Sequence, residues 1–300
     1  IRQLDQPGAK KLVRHSQGVH LVLDKSFLPG EDALMIPKTD DGRVLFAVPW
    51  QGSVVLGTTD TPLDKFRAEP RAQEEEISFL LHTAAHYLTR TPQRSDVLSV
   101  FAGLRPLAAP PRGSKKTRDI SRRHQIVVSE TGLITITGGK WTTYRRMGQD
   151  TVDTAIRLGK LPLAASQTTT LPIHGALATP DRSNHLYVYG SDLPALLGLI
   201  KQEPALGEKL DDQLEFLKAE VVWAARYEMA RTVEDVLARR VRVLFVDAQA
   251  AMRMARTVAA LLAQELGHDD HWQRQQVAAF TYLARGYLLP VQLTPRATVA

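Results

Sequence analysis

No cysteine occurs among the 300 residues. Disulfides, thiolate metal sites and a cysteine nucleophile are therefore excluded, while the compartment is left open. No apolar run is long enough to span a bilayer, and no secretory signal pattern is present. No strand is followed by a glycine-rich GxGxxG, so the usual dinucleotide fingerprint is missing. Aromatic residues make up only 6% of the chain. None interleaves with a basic run, so nucleic acid is not an expected partner. The first residue is Ile1 rather than Met, which raises the expectation of a piece of something longer.

What the chain does have is apolar content and positive charge. Hydrophobic residues make up 44%, enough to bury a core in one large or two medium domains. Lys plus Arg outnumber Asp plus Glu by 38 to 32, a net +6 that favours anionic partners such as phosphorylated metabolites or acidic lipid.

The stretch Gly132 to Arg145 combines several anion-binding features. A β-branched strand runs into Gly138 and Gly139, then Lys140, then Thr142 and Thr143, and a helical pattern follows. Paired glycines let a backbone approach a flat ligand closely. The threonines are placed to cap the first turn, whose N–H groups and dipole favour a negative or electron-rich group, and Lys140 adds a full charge. A phosphate, a carboxylate or the electron-accepting edge of a cofactor ring would suit this mouth. An ordinary tight turn accounts for the same residues equally well.

Along the chain, Arg2 to Ser16 reads as a polar connector. Val19, Leu21 and Leu23 alternate with His20, Val22 and Asp24 as a strand, with His20 on the face away from Val19 and Leu21. Arg43–Val48 and Ser53–Gly57 predict a hairpin around Gln51-Gly52, and the group reads as an antiparallel sheet. Gln73 to Leu88 has helical spacing with Glu74, Glu75 and Glu76 in its first turn. A strand over Asp96–Phe101 is expected to end in Gly103-Leu104-Arg105-Pro106. A basic loop follows, then a hairpin over Gln125–Ser129 and Leu133–Thr137. The helix after Lys140 is expected to turn Tyr144, Val152, Ala155 and Ile156 inward. Residues 161–183 read as a linker. Beyond them the pattern is helical, with caps at Thr232, at Asp247 and at Asp269 or Asp270, and a stop at Gly267.

Gly18-Val19-His20, Phe46-Ala47-Val48-Pro49-Trp50, Gly57-Thr58-Thr59-Asp60, Gly103-Leu104-Arg105-Pro106-Leu107, Thr117-Arg118-Asp119 and Gly138-Gly139-Lys140-Trp141-Thr142-Thr143-Tyr144-Arg145 stand in one order. In that order and spacing the chain resembles the C-terminal portion of FAD-dependent glycerol-3-phosphate dehydrogenases, from about Ser16 onward. The helical tail around Glu220 to Ala230 is similar as well. The resemblance implies an α+β fold: an antiparallel substrate-binding sheet with helices (1–124), a remnant of the FAD-binding fold (125–160), the linker (161–183), and an all-α C-terminal domain (184–300). The absent fingerprint departs from the family pattern and implies a piece cut inside the FAD fold.

The same resemblance implies oxidation of sn-glycerol 3-phosphate to dihydroxyacetone phosphate, with a hydride passing from C2 to the flavin and electrons going on to quinone. His20 takes the role of the group receiving the hydroxyl proton, since an imidazole titrates near neutrality. Arg105 is assigned to the reacting oxygen and Arg118 to the phosphate, for which a guanidinium fork is well shaped. Lys140, with Gly138, Gly139, Thr142 and Thr143, is assigned to the flavin edge, and Lys140 is also assigned to the substrate beside Arg105 and Arg118. Gly57 to Asp60 are expected to shape the sheet end rather than to do chemistry.

An oxidase passing electrons to oxygen, and a non-catalytic helical docking module, are the competing readings. The family docks on membranes, and the arginines at 239, 240, 242, 253 and 256 admit peripheral attachment to the inner face of the cytoplasmic membrane. A homodimer is also admitted. His82 and His86 stand four apart, yet no third ligand is evident and no metal is expected.

Overall fold

The computed structural model describes residues 1–39, 42–65, 67–108 and 123–290. Its contacts divide the chain into two compact units. The first comprises Ile1–Gly18, Asp60–Pro70 and Gly103–His174, and the second comprises Val19–Thr59, Arg71–Ala102 and Gly175–Ala300.

The sheet contains β1 (Val13–Asp24), β2 (Leu34–Ile36), β3 (Leu45–Trp50), β4 (Ser53–Gly57), β5 (Thr61–Leu63) and β6 (Val97–Ala108). Its order is β2-β3-β4-β1-β5, with β6 also paired to β1. The β3–β4 turn has Gln51 at φ 47° and Gly52 at φ 75°, the double left-handed geometry that matches strand twist in a two-residue hairpin. The expected antiparallel pairing is present, with Leu21 opposite Leu56 and Val48 opposite Val55.

In the second unit, Val19, Leu21 and Leu23 of β1 share a buried core with Ala47, Val54 and Leu56. Ile77, Leu80 and Ala84 of α2 (Glu74–Ala84) complete it. Gln73 caps α2, and Glu76 reaches back to the Gln73 N–H at 2.9 Å. Glu76 is itself buried, and its other oxygen accepts from the Thr59 hydroxyl at 2.8 Å.

The helical half of the same unit holds α4 (Leu193–Gln202), α5 (Lys218–Tyr227), a π-helical turn (Asp235–Arg240), α6 (Val243–Val246), α7 (Ala248–Leu266) and α8 (Asp270–Arg285). Its caps are those the sequence predicts. Asp247 accepts from the Ala250 N–H at 2.8 Å, Asp269 from Trp272 at 2.8 Å, and Thr232 and Asp235 cap reciprocally at 3.0 Å. Gly267 ends α7 at φ 72°. Val258, Ala259 and Leu262 of α7 pack with Phe280 and Ala284 of α8 in one buried cluster.

The first unit contains the short α1 (Arg2–Asp5), the start of β1 paired with β5, the end of β6, the hairpin of β7 (Gln125–Val128) with β8 (Ile134–Thr137), and α3 (Tyr144–Leu158).

Three expectations change. β1 begins at Val13 rather than after Ser16, because His15, Ser16 and Gln17 pair with Leu63, Pro62 and Thr61. β6 does not stop at Phe101 but runs through Gly103 and Pro106 to Ala108. Tyr144 and Val152 do not turn inward: they are 52% and 56% exposed, and α3 buries no residue among the described ones. Ala155 and Ile156 of the same stripe are half-buried, so the expected inward face is covered only in part.

Candidate active site

In the second unit His20 lies on β1 directly opposite Gly57 of β4. A Cβ on Gly57 would come within 2.9 Å of His20 Cγ and Nε2, so only glycine leaves room for the ring. The imidazole also stacks on Phe101 of β6, with centroids 5.0 Å apart and planes 19° from parallel. His20 is half-buried, whereas its strand neighbours Val19 and Leu21 are fully buried on the other face. The next residues anchor the turn beyond: the Thr59 hydroxyl accepts from the Val19 N–H at 3.0 Å while donating to Glu76.

In the first unit Arg105 is arranged in the same manner. Its guanidinium lies over Gly18 of β1, where a Cβ would approach Arg105 Cζ to 2.7 Å. The Asp60 carboxylate is 3.5 Å from Arg105 Nη1 and accepts a short hydrogen bond from the Ser16 hydroxyl. Both charged side chains keep some exposure, 32% for Arg105 and 25% for Asp60. A guanidinium steadied by a carboxylate and still reached by solvent can receive an anion.

The glycine pair is also in the first unit. Gly138 and Gly139 have φ of 74° and 80°, a region that disfavours side chains. A Cβ on Gly138 would come within 2.9 Å of the Arg123 carbonyl oxygen, and one on Gly139 within 2.9 Å of Met147 Cε. A side chain at either position would thus meet the chain itself, so the fold requires glycine there whether or not a ligand approaches the backbone. Next to Gly139, His124 Nε2 meets Asp150 at 2.9 Å, and Arg146 meets the other oxygen of Asp150 at 2.9 Å, which fastens β7 to α3.

The threonine caps differ from expectation. Thr143 does not cap α3 with its side chain; its hydroxyl accepts from Lys140 N–H at 3.2 Å and donates to Lys140 C=O at 3.0 Å. This closes a 3-10 turn over Trp141–Thr143 and leaves Lys140 and Thr142 exposed, with Trp141 85% exposed and stacked on Tyr144. A cation, a helix start and an exposed ring together form a donor set that fits an electron-rich, planar group.

Arg118 lies outside the described residues. The structure therefore gathers Arg105 and Gly138–Thr143 in one unit and His20 in the other. Sequence reasoning missed Asp60, which was expected only to shape the sheet end, and Phe101. The Asp at the end of Gly57-Thr58-Thr59-Asp60 was a usable signal for the first, whereas nothing in the sequence pointed to the second.

His82 and His86 pack edge to face at 5.0 Å, and His86 Nδ1 meets the His82 carbonyl at 2.9 Å. Among the described residues no group of three potential ligands gathers around a metal position.

With an antiparallel sheet, a glycine-paired turn leading into a helix, and an all-helical tail in place, sequence similarity gives the class, the FAD-dependent oxidoreductases. The family model described as FAD dependent oxidoreductase matches residues 1–145, and that of the C-terminal domain of alpha-glycerophosphate oxidase matches 129–273. A mitochondrial glycerol-3-phosphate dehydrogenase of Arabidopsis thaliana is 38% identical over 308 residues, covering 92% of this chain and 48% of the relative. The mitochondrial glycerol-3-phosphate dehydrogenase of Homo sapiens is 34% identical over 329 residues, covering 100% of this chain and 44% of the relative. A crystal structure of the glycerol-3-phosphate dehydrogenase from Bacillus halodurans, complexed with FAD, superposes with a TM-score of 0.78 at 26% identity, over 98% of this chain and 61% of that one. The chain belongs to the FAD-dependent glycerol-3-phosphate dehydrogenase family. It spans about half the length of the curated relatives it matches.

Proposed function

We propose that this chain carries the substrate-side machinery for oxidising sn-glycerol 3-phosphate to dihydroxyacetone phosphate with FAD. The observation that carries this reading is a matched pair of glycines. Gly57 makes room for the His20 ring and Gly18 for the Arg105 guanidinium, the two side chains to which family resemblance gives the proton and the substrate. The relatives' names supply the substrate, and the Bacillus halodurans enzyme, crystallised with FAD, supplies the cofactor.

When bound, FAD supplies the two-electron acceptor. The residues that would hold its electron-rich edge are Gly138, Gly139, Lys140, Thr142 and Thr143, whose donor set fits such a group. His20 takes the proton of the C2 hydroxyl as the C2 hydrogen departs with its electron pair to that acceptor. A ring fixed in plane presents one nitrogen in a constant direction, and that constancy is what general-base catalysis needs. Arg105, steadied by Asp60, holds the substrate oxygens, and Arg118 is assigned to the phosphate dianion. Residues 1–124 then serve as the substrate region, 125–160 as the cofactor-side strand and helix, and 184–300 as the helical domain beyond a linker at 161–183.

For the acceptor, the dehydrogenase names favour one other than oxygen, for which quinone is our reading, whereas the description of the second family model favours oxygen. No helix among the described residues is long and apolar enough to cross a membrane. Peripheral attachment to the inner face of the membrane, and a homodimer, fit this reading. The arginine face contributes less to attachment than its count suggests: Arg239 pairs with Glu234 and Asp235, Arg240 with Glu228, and Arg253 with Asp211.

The test is anaerobic addition of glycerol 3-phosphate to the FAD-loaded protein, followed by flavin absorbance. Bleaching by glycerol 3-phosphate but not by glycerol supports the proposal. An unbleached flavin sinks it, and hydrogen peroxide formed on readmitting air marks the oxidase branch.

A further inference from the structure

Three successive residues of β6 tie the sheet of the second unit to its helical half. The buried Ser99 hydroxyl donates to the Leu244 carbonyl at 2.8 Å, and the Val100 N–H donates to the Tyr287 carbonyl at 2.8 Å. The Phe101 ring then meets the Phe245 ring edge to face, 5.2 Å between centroids and 80° between planes. Phe245 continues to Tyr287 at 5.7 Å and 74°, and the Arg71 guanidinium lies 5.1 Å above the Tyr287 ring. With His20 stacked on the near side of Phe101, this makes a continuous column: His20, Phe101, Phe245, Tyr287, Arg71.

The column is rigid at its far end. α6 follows Arg242, which is in the left-handed region at φ 60°, and its Val243, Leu244 and Val246 are buried. Phe245 is the one residue of that turn not fully buried, and its ring meets β6. Arg71 is held in turn by the Leu283 carbonyl at 3.3 Å, in space left open by Gly286. Offset-stacked and edge-to-face contacts fix ring planes as well as burying area, so each ring limits the rotation of the next. A leucine at Phe101 would fill much of the volume but impose no plane on the imidazole.

We propose that Phe101, backed by Phe245 and Tyr287, is a positioning residue that fixes the plane of the His20 imidazole against the Gly57 backbone. The C-terminal helices then act on proton transfer through stacked rings. The inference rests on the reading of His20 as the proton acceptor, and its test separates the two.

The experiment follows the His20 imidazole Cε1–H signal by NMR across a pH titration in the FAD-loaded protein, alongside kcat and KM. Wild type is compared with Phe101→Leu, Phe245→Leu and Phe101→Tyr. The leucine variants are expected to shift the His20 signal and its titration midpoint and to lower kcat roughly tenfold to a hundredfold with KM little changed, the scale of a misplaced catalytic group. Phe101→Tyr, which keeps a stacked ring, is expected to restore both. A His20 signal and midpoint unmoved by Phe101→Leu overturn the column. A moved signal with full turnover keeps the column and overturns His20 as the base. Should Phe101→Leu fail to fold, Phe245→Leu, one ring further away, gives the same decision.

Discussion

The Asp60 carboxylate lies 3.5 Å from Arg105 Nη1 and accepts from the Ser16 hydroxyl, so a residue of the turn after β4 steadies a guanidinium on β6. Replacing Asp60 with asparagine keeps a hydrogen-bonding side chain and removes the charge. Arg105 then loses this ionic contact. We expect kcat/KM for glycerol 3-phosphate to fall roughly tenfold, the order for loosening one charge-assisted contact of about 1.5 kcal/mol. Steady-state kinetics check this, and an unchanged kcat/KM in a folded variant would remove Asp60 from the site.

Gly18→Ala and Gly57→Ala should differ in severity, although both place a Cβ against a site side chain. The atoms met at Gly18 are the far end of Arg105, which can swing aside. Those met at Gly57 include His20 Cγ, at the root of a ring already backed by Phe101. Gly57→Ala is therefore expected to cost kcat about a hundredfold, the scale for a displaced catalytic group, and Gly18→Ala mainly to raise KM. Equal kinetic losses in the two variants would count against this account.

Much of the second unit was legible in the sequence. The alternation of Val19 to Asp24, the Gln51-Gly52 turn, and the caps at Thr232, Asp247 and Asp269 are local signals whose energetics do not depend on distant partners. The extension of β6 through Gly103 and Pro106 was not legible, because both residues read as breakers until pairing with another strand overrides them. The stripe of α3 had the right spacing, but spacing says only that a face is apolar, not what covers it. Within the candidate site His20 and Arg105 came from resemblance. Their supports at Gly57, Phe101 and Asp60 required strand register and packing that no local pattern encodes.

Gly138→Ala tests whether the glycine pair is needed by the fold itself. The substitution forces an L side chain to φ 74° and drives its Cβ against the Arg123 carbonyl oxygen, a backbone atom with little freedom. Left-handed strain alone costs about 1–3 kcal/mol. Gly139→Ala carries the same strain but meets the end of a flexible methionine, so it should cost less. Urea unfolding of the two variants gives the ranking, and a Gly138→Ala protein as stable as wild type would contradict it.

Glu228 provides a pH test in the helical half. Burial raises its carboxyl above the ordinary 4.5, against the opposing pull of Arg240. The folded protein therefore binds this proton more tightly than the unfolded chain. Stability from this group rises as pH falls through the raised value and levels off below 4.5. Glu228→Gln should be the more stable protein at neutral pH, with the gap closing on acidification. Denaturant midpoints across that range decide it, and a gap that widens toward acid would reverse the sign.

The most direct test of the central claim is single-turnover flavin reduction by glycerol 3-phosphate in His20→Asn, with substrate affinity measured alongside. Loss of a positioned general base is expected to slow reduction by about 10²- to 10⁴-fold with affinity nearly unchanged. Reduction at the wild-type rate would show that the imidazole between Gly57 and Phe101 takes no proton in the reaction.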